Sequence, residues 1–327
     1  MLLTRDTEKG VDSANSTKDR RKWTRRSYLG GAGLAGAAAT LYGVAPWFWH
    51  RYAREMTRPV ASPRHRPRPR DWPDRGIQVA WLGHSTVLLK IDGFTILTDP
   101  VLSTRAGIHL GPITLGIKRL VEPALELEDL PLIDLVLVSH AHMDHLDTWS
   151  LARLENRHRS MVMAPSTSDL VRMGRYKEVR ELKWGEEARF GPVTVKAFQV
   201  NHWGARMRSD TYRGYNGYTI ESGKRRILFA GDTADTHLFK SLRSSKQYDI
   251  AIMPIGAYNP WIRYHCTPEQ ALRMANEANA GLLVPVHHQT FELSREPGNE
   301  PIERFMAAAS HEPERVVIRE IGQEFRV

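Results

Sequence analysis

The sequence predicts an α/β fold: two mixed β-sheets lying face to face with helices outside them, a four-layer αββα sandwich. Three observations predict it. Early strand-like runs arrive as hairpins, the clearest around the turn Asp92-Gly93. Residues 135–139 form an unbroken apolar run, the signature of a strand covered on both faces. Later runs alternate with helix signals, without the strict strand–helix rhythm of a doubly wound parallel sheet.

The elements follow in chain order. Residues 77–82, 87–91 and 94–97 read as short strands. Asp147 is placed to cap a helix running to about residue 157, and Ser166 to cap another through 173. Residues 193–200, 215–221, 226–230, 250–254 and 282–286 read as strands, several ending in a polar residue. Thr267-Pro268-Glu269-Gln270 combines a capping box with proline at the first helical position, so a helix starts there.

A length of 327 residues with 41% hydrophobic content suits one large domain or two ordinary ones. The single cysteine, Cys266, excludes an internal disulfide framework and any cysteine-only metal site. The formal charge of +9 is unevenly placed. Residues 1–75 hold 16 Lys/Arg and 7 Asp/Glu, so the whole excess lies there, and residues 76–327 balance at 30 of each. A neutral body argues against a nucleic-acid partner, which wants basic residues along its cleft.

The N-terminal quarter reads as an address. Residues 1–22 are polar and read as a disordered tail. In residues 23–50, Arg25-Arg26 precedes Ser27-Tyr28-Leu29 and a mildly apolar Gly/Ala-rich stretch. This resembles a twin-arginine export signal, with Gly43-Val44-Ala45 as a weak cleavage candidate. Trp47-Phe48-Trp49 suits a membrane interface. Export to the periplasm or anchoring to the inner membrane is the expectation, with a cytoplasmic chain as the alternative. Residues 51–75 carry prolines interleaved with arginines and read as a stiff cationic linker. A folded body is expected over 76–327.

The chemistry concentrates in His140-Ala141-His142-Met143-Asp144-His145, directly after the buried run. In an extended segment His140, His142 and Asp144 project to one side, and His145 turns away. Four ligand-type side chains in six residues can serve two metal ions, and imidazole with carboxylate suits Zn²⁺, Mn²⁺ or Fe²⁺. His202, Asp232 and His287 each close a predicted strand, which is how a rigid scaffold lines up ligands along one edge.

This order of ligands resembles the metallo-β-lactamase fold. Trp81-Leu82-Gly83-His84-Ser85-Thr86, Leu97-Thr98-Asp99-Pro100, Pro254-Ile255-Gly256-Ala257-Tyr258 and His287-His288-Gln289-Thr290-Phe291 are similar to its N-acyl-phosphatidylethanolamine-hydrolysing phospholipase D branch. The resemblance covers about residues 77–310. It implies two Zn²⁺ (or Mn²⁺, Fe²⁺), one on His140, His142 and His202, the other on Asp144, His145 and His287, with Asp232 bridging. It implies a bridging hydroxide attacking phosphorus, with Asp144 and His265 as catalytic residues and His265 near the scissile phosphate. His84 and Asp99 are read as groups that orient the ligands. Tyr258 and Tyr215 are read as substrate contacts, and Tyr215-Asn216-Gly217-Tyr218 departs from the branch's tryptophan-glycine stretch. His288 matches no ligand. The expected activity is phospholipase D-type cleavage of an N-acylphosphatidylethanolamine-like lipid at a membrane surface, by a chain compatible with a homodimer. The alternatives are a lactonase, a small-molecule phosphodiesterase, or a metal-bound sensor without turnover.

Overall fold

The computed structural model describes residues 46–111 and 113–327. The tail at 1–22, the twin-arginine pair and the cleavage candidate lie outside the described residues. The chain divides into two compact units, 1–56 and 57–327. The described part of the first is helix α1 (Pro46–Thr57), which carries an Arg51–Glu55 ion pair one turn apart at 2.9 Å. Among the described residues no helix is long and apolar enough to cross a membrane.

The second unit begins with an extended strap. Residues 58–75 lie along the same unit as the sheets: Arg64 and His65 pair with Glu320, and Trp72 Nε1 donates to Glu324. Fifteen strands and three helices follow. They are β1 (Ile77–Gly83), β2 (Thr86–Ile91), β3 (Phe94–Thr98), β4 (Arg105–Leu110), β5 (Ile113–Lys118) and β6 (Leu135–Val138), then α2 (Thr148–Arg153), β7 (Ser160–Met163) and β8 (Glu178–Glu181). The rest are β9 (Glu187–Phe190), β10 (Val193–Phe198), β11 (Gly217–Ser222), β12 (Arg225–Phe229), β13 (Tyr248–Pro254), α3 (Pro268–Glu277), β14 (Ala280–Val286), α4 (Glu300–Ala308) and β15 (Glu324–Arg326).

One sheet has the order β15-β1-β2-β3-β6-β7-β8, the other β14-β13-β12-β11-β10-β9. Both are mixed in the same way, with antiparallel hairpins leading into parallel strands. Strand alternation builds the layers. Ile227, Phe229, Ile250, Ile252, Val284 and Val286 face the first sheet's Val79, Leu89 and Val136 in one core. Their neighbours Leu228, Ala251, Met253 and Leu283 turn the other way, against Ala271, Met274 and Phe305 of α3 and α4. The predicted sandwich is therefore present, with its stronger helical cover over the second sheet.

The Asp92-Gly93 turn forms with both residues at positive φ, as a two-residue hairpin requires. The cap and the capping box also form: Asp147 accepts from the amides of Trp149 and Ser150, and Thr267 and Gln270 cap each other's backbone. Two expectations are corrected. The helix after Asp147 stops at Arg153. No α-helix follows Ser166; the carboxylate of Glu181 instead accepts the amides of Ser166, Thr167 and Ser168, and Ser166 sits at φ 58°. That carboxylate fixes a turn, which leaves only two 3-10 turns before β8. The β4–β5 hairpin, β7, β8, β9, β15 and α4 carried too little periodic signal to be predicted.

Candidate metal centre

The site lies where β6, β10, β12 and β14 end. The loop after β6 brings four side chains; the loops after the other three strands bring one each. Four groups of potential ligands result among the described residues, and two of them divide the predicted ligands. His140, His142, His202 and Asp232 form one, and Asp144, His145 and His287, joined by His84, form the other.

In the first group three imidazole nitrogens converge. His142 Nδ1 lies 2.8 Å from His140 Nε2 and 3.3 Å from His202 Nε2. The tautomers follow from the outer partners. Ser139 Oγ donates to Asp99 at 2.5 Å, so it accepts from His140 Nδ1 at 2.9 Å. His202 Nδ1 donates to the Tyr264 carbonyl at 2.8 Å. Both rings thus turn bare Nε2 lone pairs inward. Tetrahedral ligands about 2.1 Å from one ion stand about 3.4 Å apart, close to the His142–His202 spacing, while His140 and His142 stand nearer to each other.

Asp232 Oδ2 sits at the centre. It lies 3.0 Å from His145 Nε2, 3.1 Å from His287 Nε2, and 3.8–3.9 Å from His202, His140 and His265. Asp144 Oδ2 approaches His145 and His287 Nε2 at 3.7 Å each. Both carboxylate oxygens of Asp232, His145 Nε2 and His287 Nε2 are buried without a hydrogen-bond partner. Buried polar atoms are nearly always satisfied, and four such atoms in one cluster fit a bound cation. The donor set, imidazole with carboxylate, fits Zn²⁺, Mn²⁺ or Fe²⁺.

The electrostatics agree. Burial holds His140 and His202 well below the ordinary imidazole range, and His142 at about 4, so all three are neutral and ready to ligate. Burial opposes charge on His145 and His287 too, but Asp232 and Asp144 outweigh it. His145 rises well above its ordinary value and His287 to about 9. These protons supply positive charge at the place where two carboxylates demand it.

Asp99 accepts from His145 Nδ1 at 2.7 Å and from the Ser139 amide at 2.7 Å, which orients the ring. His84 Nε2 donates to Asp144 at 2.9 Å and steers that carboxylate. His84, Asp99 and His287 all hold positive φ, a strained backbone that the surrounding contacts impose. Gly231 explains how Asp232 is presented: at φ 60° a side chain there would meet Asn216 O and Ser139 Cβ at 2.8 Å.

His265 lies beside the cluster. Its ring centroid is 5.2 Å from that of His287 and 5.3 Å from that of His202. Burial lowers its pKa to about 4, and Nδ1 has no partner. Tyr215 is also near, its ring 6.4 Å from His202. Tyr258 is not brought in: its hydroxyl donates to Glu300 at 2.8 Å, under Arg304. His288 packs its ring against Trp81 at 4.5 Å, outside both groups.

Sequence reasoning missed the rim. Trp203 packs on His142 at 4.8 Å and Tyr264 on Trp203 at 5.5 Å, both substantially exposed. Met207, Trp261 and Ile262 are exposed on the same two loops. The β4–β5 hairpin exposes Ile108, Leu110 and Ile113 and is tied to the ligand loop by His109 Nε2 donating to Asp147 at 2.6 Å. Only Trp203, beside His202, hinted at this.

Comparison with known proteins agrees with the geometry. A family model described as the beta-lactamase superfamily domain matches residues 95–288. The chain is 36% identical over 250 residues to an uncharacterized protein of Mycobacterium tuberculosis, covering 74% of this chain and 66% of that one. It is 32% identical over 245 residues to N-acyl-phosphatidylethanolamine-hydrolyzing phospholipase D 1 of Caenorhabditis elegans, covering 67% of this chain and 66% of that one. The chain thus spans just under two thirds of the length of both relatives. Among solved structures, a metallo hydrolase of Ignicoccus hospitalis aligns with TM-score 0.56 at 21% identity, over 77% of this chain and all of the other, and shares the fold.

Proposed function

This chain belongs to the beta-lactamase superfamily, and from that premise we propose that it is a dinuclear metal-dependent hydrolase cleaving a phosphodiester. The reaction we favour is of phospholipase D type, on an N-acylphosphatidylethanolamine-like lipid. The observation that carries the reading is the sharing of Asp232 Oδ2 by two groups of ligand atoms. His140, His142 and His202 would hold one ion, and Asp144, His145 and His287 the other. Bound there, such ions supply Lewis acidity toward a phosphoryl oxygen and lower the pKa of water.

The chain's own residues do the rest. Asp99 and His84 keep the ligands aligned. His265, neutral and with Nδ1 unpartnered, is set to hydrogen-bond the leaving-group oxygen or a phosphoryl oxygen. The exposed Trp203, Tyr264, Trp261 and Ile262 give the mouth an apolar, aromatic edge suited to a lipid substrate and a membrane surface. The relative from Caenorhabditis elegans bears the name of this reaction. We also propose that residues 23–50 direct export or inner-membrane attachment, on the strength of Arg25-Arg26 and the apolar run.

The test is incubation of metal-loaded protein with vesicles of N-acylphosphatidylethanolamine, beside a lactone and a cyclic nucleotide. Mass spectrometry should find N-acylethanolamine and phosphatidic acid. Turnover of the lactone alone would replace the reading.

A further inference from the structure

Four of the ligand side chains sit on a loop, residues 140–147, that belongs to no strand or helix. Backbone bonds inside it are few: the amides of His145 and Leu146 both reach the His142 carbonyl. The carbonyls of Ala141 and Leu146, whose residues are fully buried, flank the stretch that carries His142, Asp144 and His145. One atom takes both. Arg206 Nη1 donates to Ala141 O at 3.0 Å and to Leu146 O at 2.7 Å.

Arg206 stands four residues after ligand His202, on the loop between β10 and β11. That loop is itself anchored. Asp210 accepts the Met207 amide at 2.6 Å and Arg213 Nε at 2.6 Å, while Arg213 grips Asp169 with two further bonds at 2.6 and 2.9 Å. A chain of contacts therefore runs from a fixed point on the first sheet's side, through the His202 loop, to both ends of the 140–147 loop.

We infer that Arg206 is a positioning residue: it clamps the His140–Asp147 loop to the His202 loop and thereby sets the geometry of both ligand groups. The inference adds a residue to the site and rests on the ligand assignment, not on the choice of substrate. A neutral side chain at 206 would leave two buried carbonyls unpaired and free the loop to spread. Outer partners of this kind typically change metal affinity 10–100-fold when removed.

The experiment uses the full chain loaded with Zn²⁺ and compares Arg206→Met, Arg206→Lys and Asp210→Asn. Retention of zinc against a competing chelator is followed by elemental analysis, and thermal stability of the metal-free forms is measured in parallel. Arg206→Met is expected to weaken zinc retention about 10–100-fold. Arg206→Lys, which keeps the charge and part of the reach, should recover most of that loss, and Asp210→Asn should shift retention in the same direction by less. A purely structural role would lower the metal-free melting temperature without changing the chelator competition. Zinc retention equal to wild type in the folded variants would overturn the assignment. If Arg206→Met does not fold, Asp210→Asn decides: zinc retention equal to wild type in that variant would overturn it. Wild-type protein that holds no zinc would instead remove the ligand assignment itself.

Discussion

The floor and the rim of the site are built on opposite principles. The floor is sealed: His140, His145, Asp99 and Asp232 are almost wholly buried, and the rings of His140, His145 and His202 each have an outer hydrogen bond that fixes the tautomer. The rim is open: Trp203, Tyr264, Trp261 and Ile262 expose large apolar surface on loops. A floor of this kind tolerates little displacement, because Asp99, which holds His145, is itself held by Ser139. A rim of this kind can change without disturbing what lies beneath. The difference teaches that reaction type is written in the floor and substrate preference in the rim.

Substitutions can break this contrast, and Asp232 is where the largest effect is expected. Asp232→Ala removes the oxygen both groups share, so activity should fall to background in a continuous phosphodiesterase assay. Near-normal turnover would show that the floor does not act as one unit. His265→Ala comes next. It should lower kcat by about 10²–10⁴ while elemental analysis finds the metal content unchanged. Asp99→Asn should follow, with a 10–100-fold weaker hold on metal, since it deprives His145 Nδ1 of its carboxylate.

A pH experiment probes the same floor without mutation. His145 and His287 are held protonated above their ordinary range by Asp232 and Asp144, His287 to about 9. At pH 7 the metal-free protein therefore carries both protons, and ligation needs both lone pairs. Metal addition should release up to two protons per chain at pH 7, and fewer as the pH passes 9, read by an indicator in weak buffer. No release at pH 7 would mean that the floor is already deprotonated. The smallest effect belongs to the rim. Trp203→Ala should change KM for a lipid several-fold, leave turnover of a small soluble phosphodiester intact, and shift stability within about 0.5 kcal/mol. A loss of metal in that variant would erase the distinction between floor and rim.

That distinction also governs what could be read from sequence. The clustered His and Asp side chains sit at strand ends or in one dense run, so periodicity pointed to several strands and residue type to the cluster. Asp92-Gly93, Asp147 and Thr267 each satisfy a local rule, and each element starts where that rule puts it. Ser166 obeyed the same rule and was overruled by Glu181, a residue fifteen positions away that no local pattern connects to it. Arg206 was invisible for the same reason: its two acceptors are backbone carbonyls sixty and more residues earlier. Tyr258 was placed at the site by motif likeness, and its bond to Glu300 keeps its hydroxyl elsewhere.

The account stands on two ligand groups joined by one carboxylate oxygen, and metal stoichiometry tests that directly. Elemental analysis of protein purified without chelator and reconstituted with Zn²⁺ should give two ions per wild-type chain and at most one in Asp232→Ala. A single ion per wild-type chain, or two retained in Asp232→Ala, would contradict it.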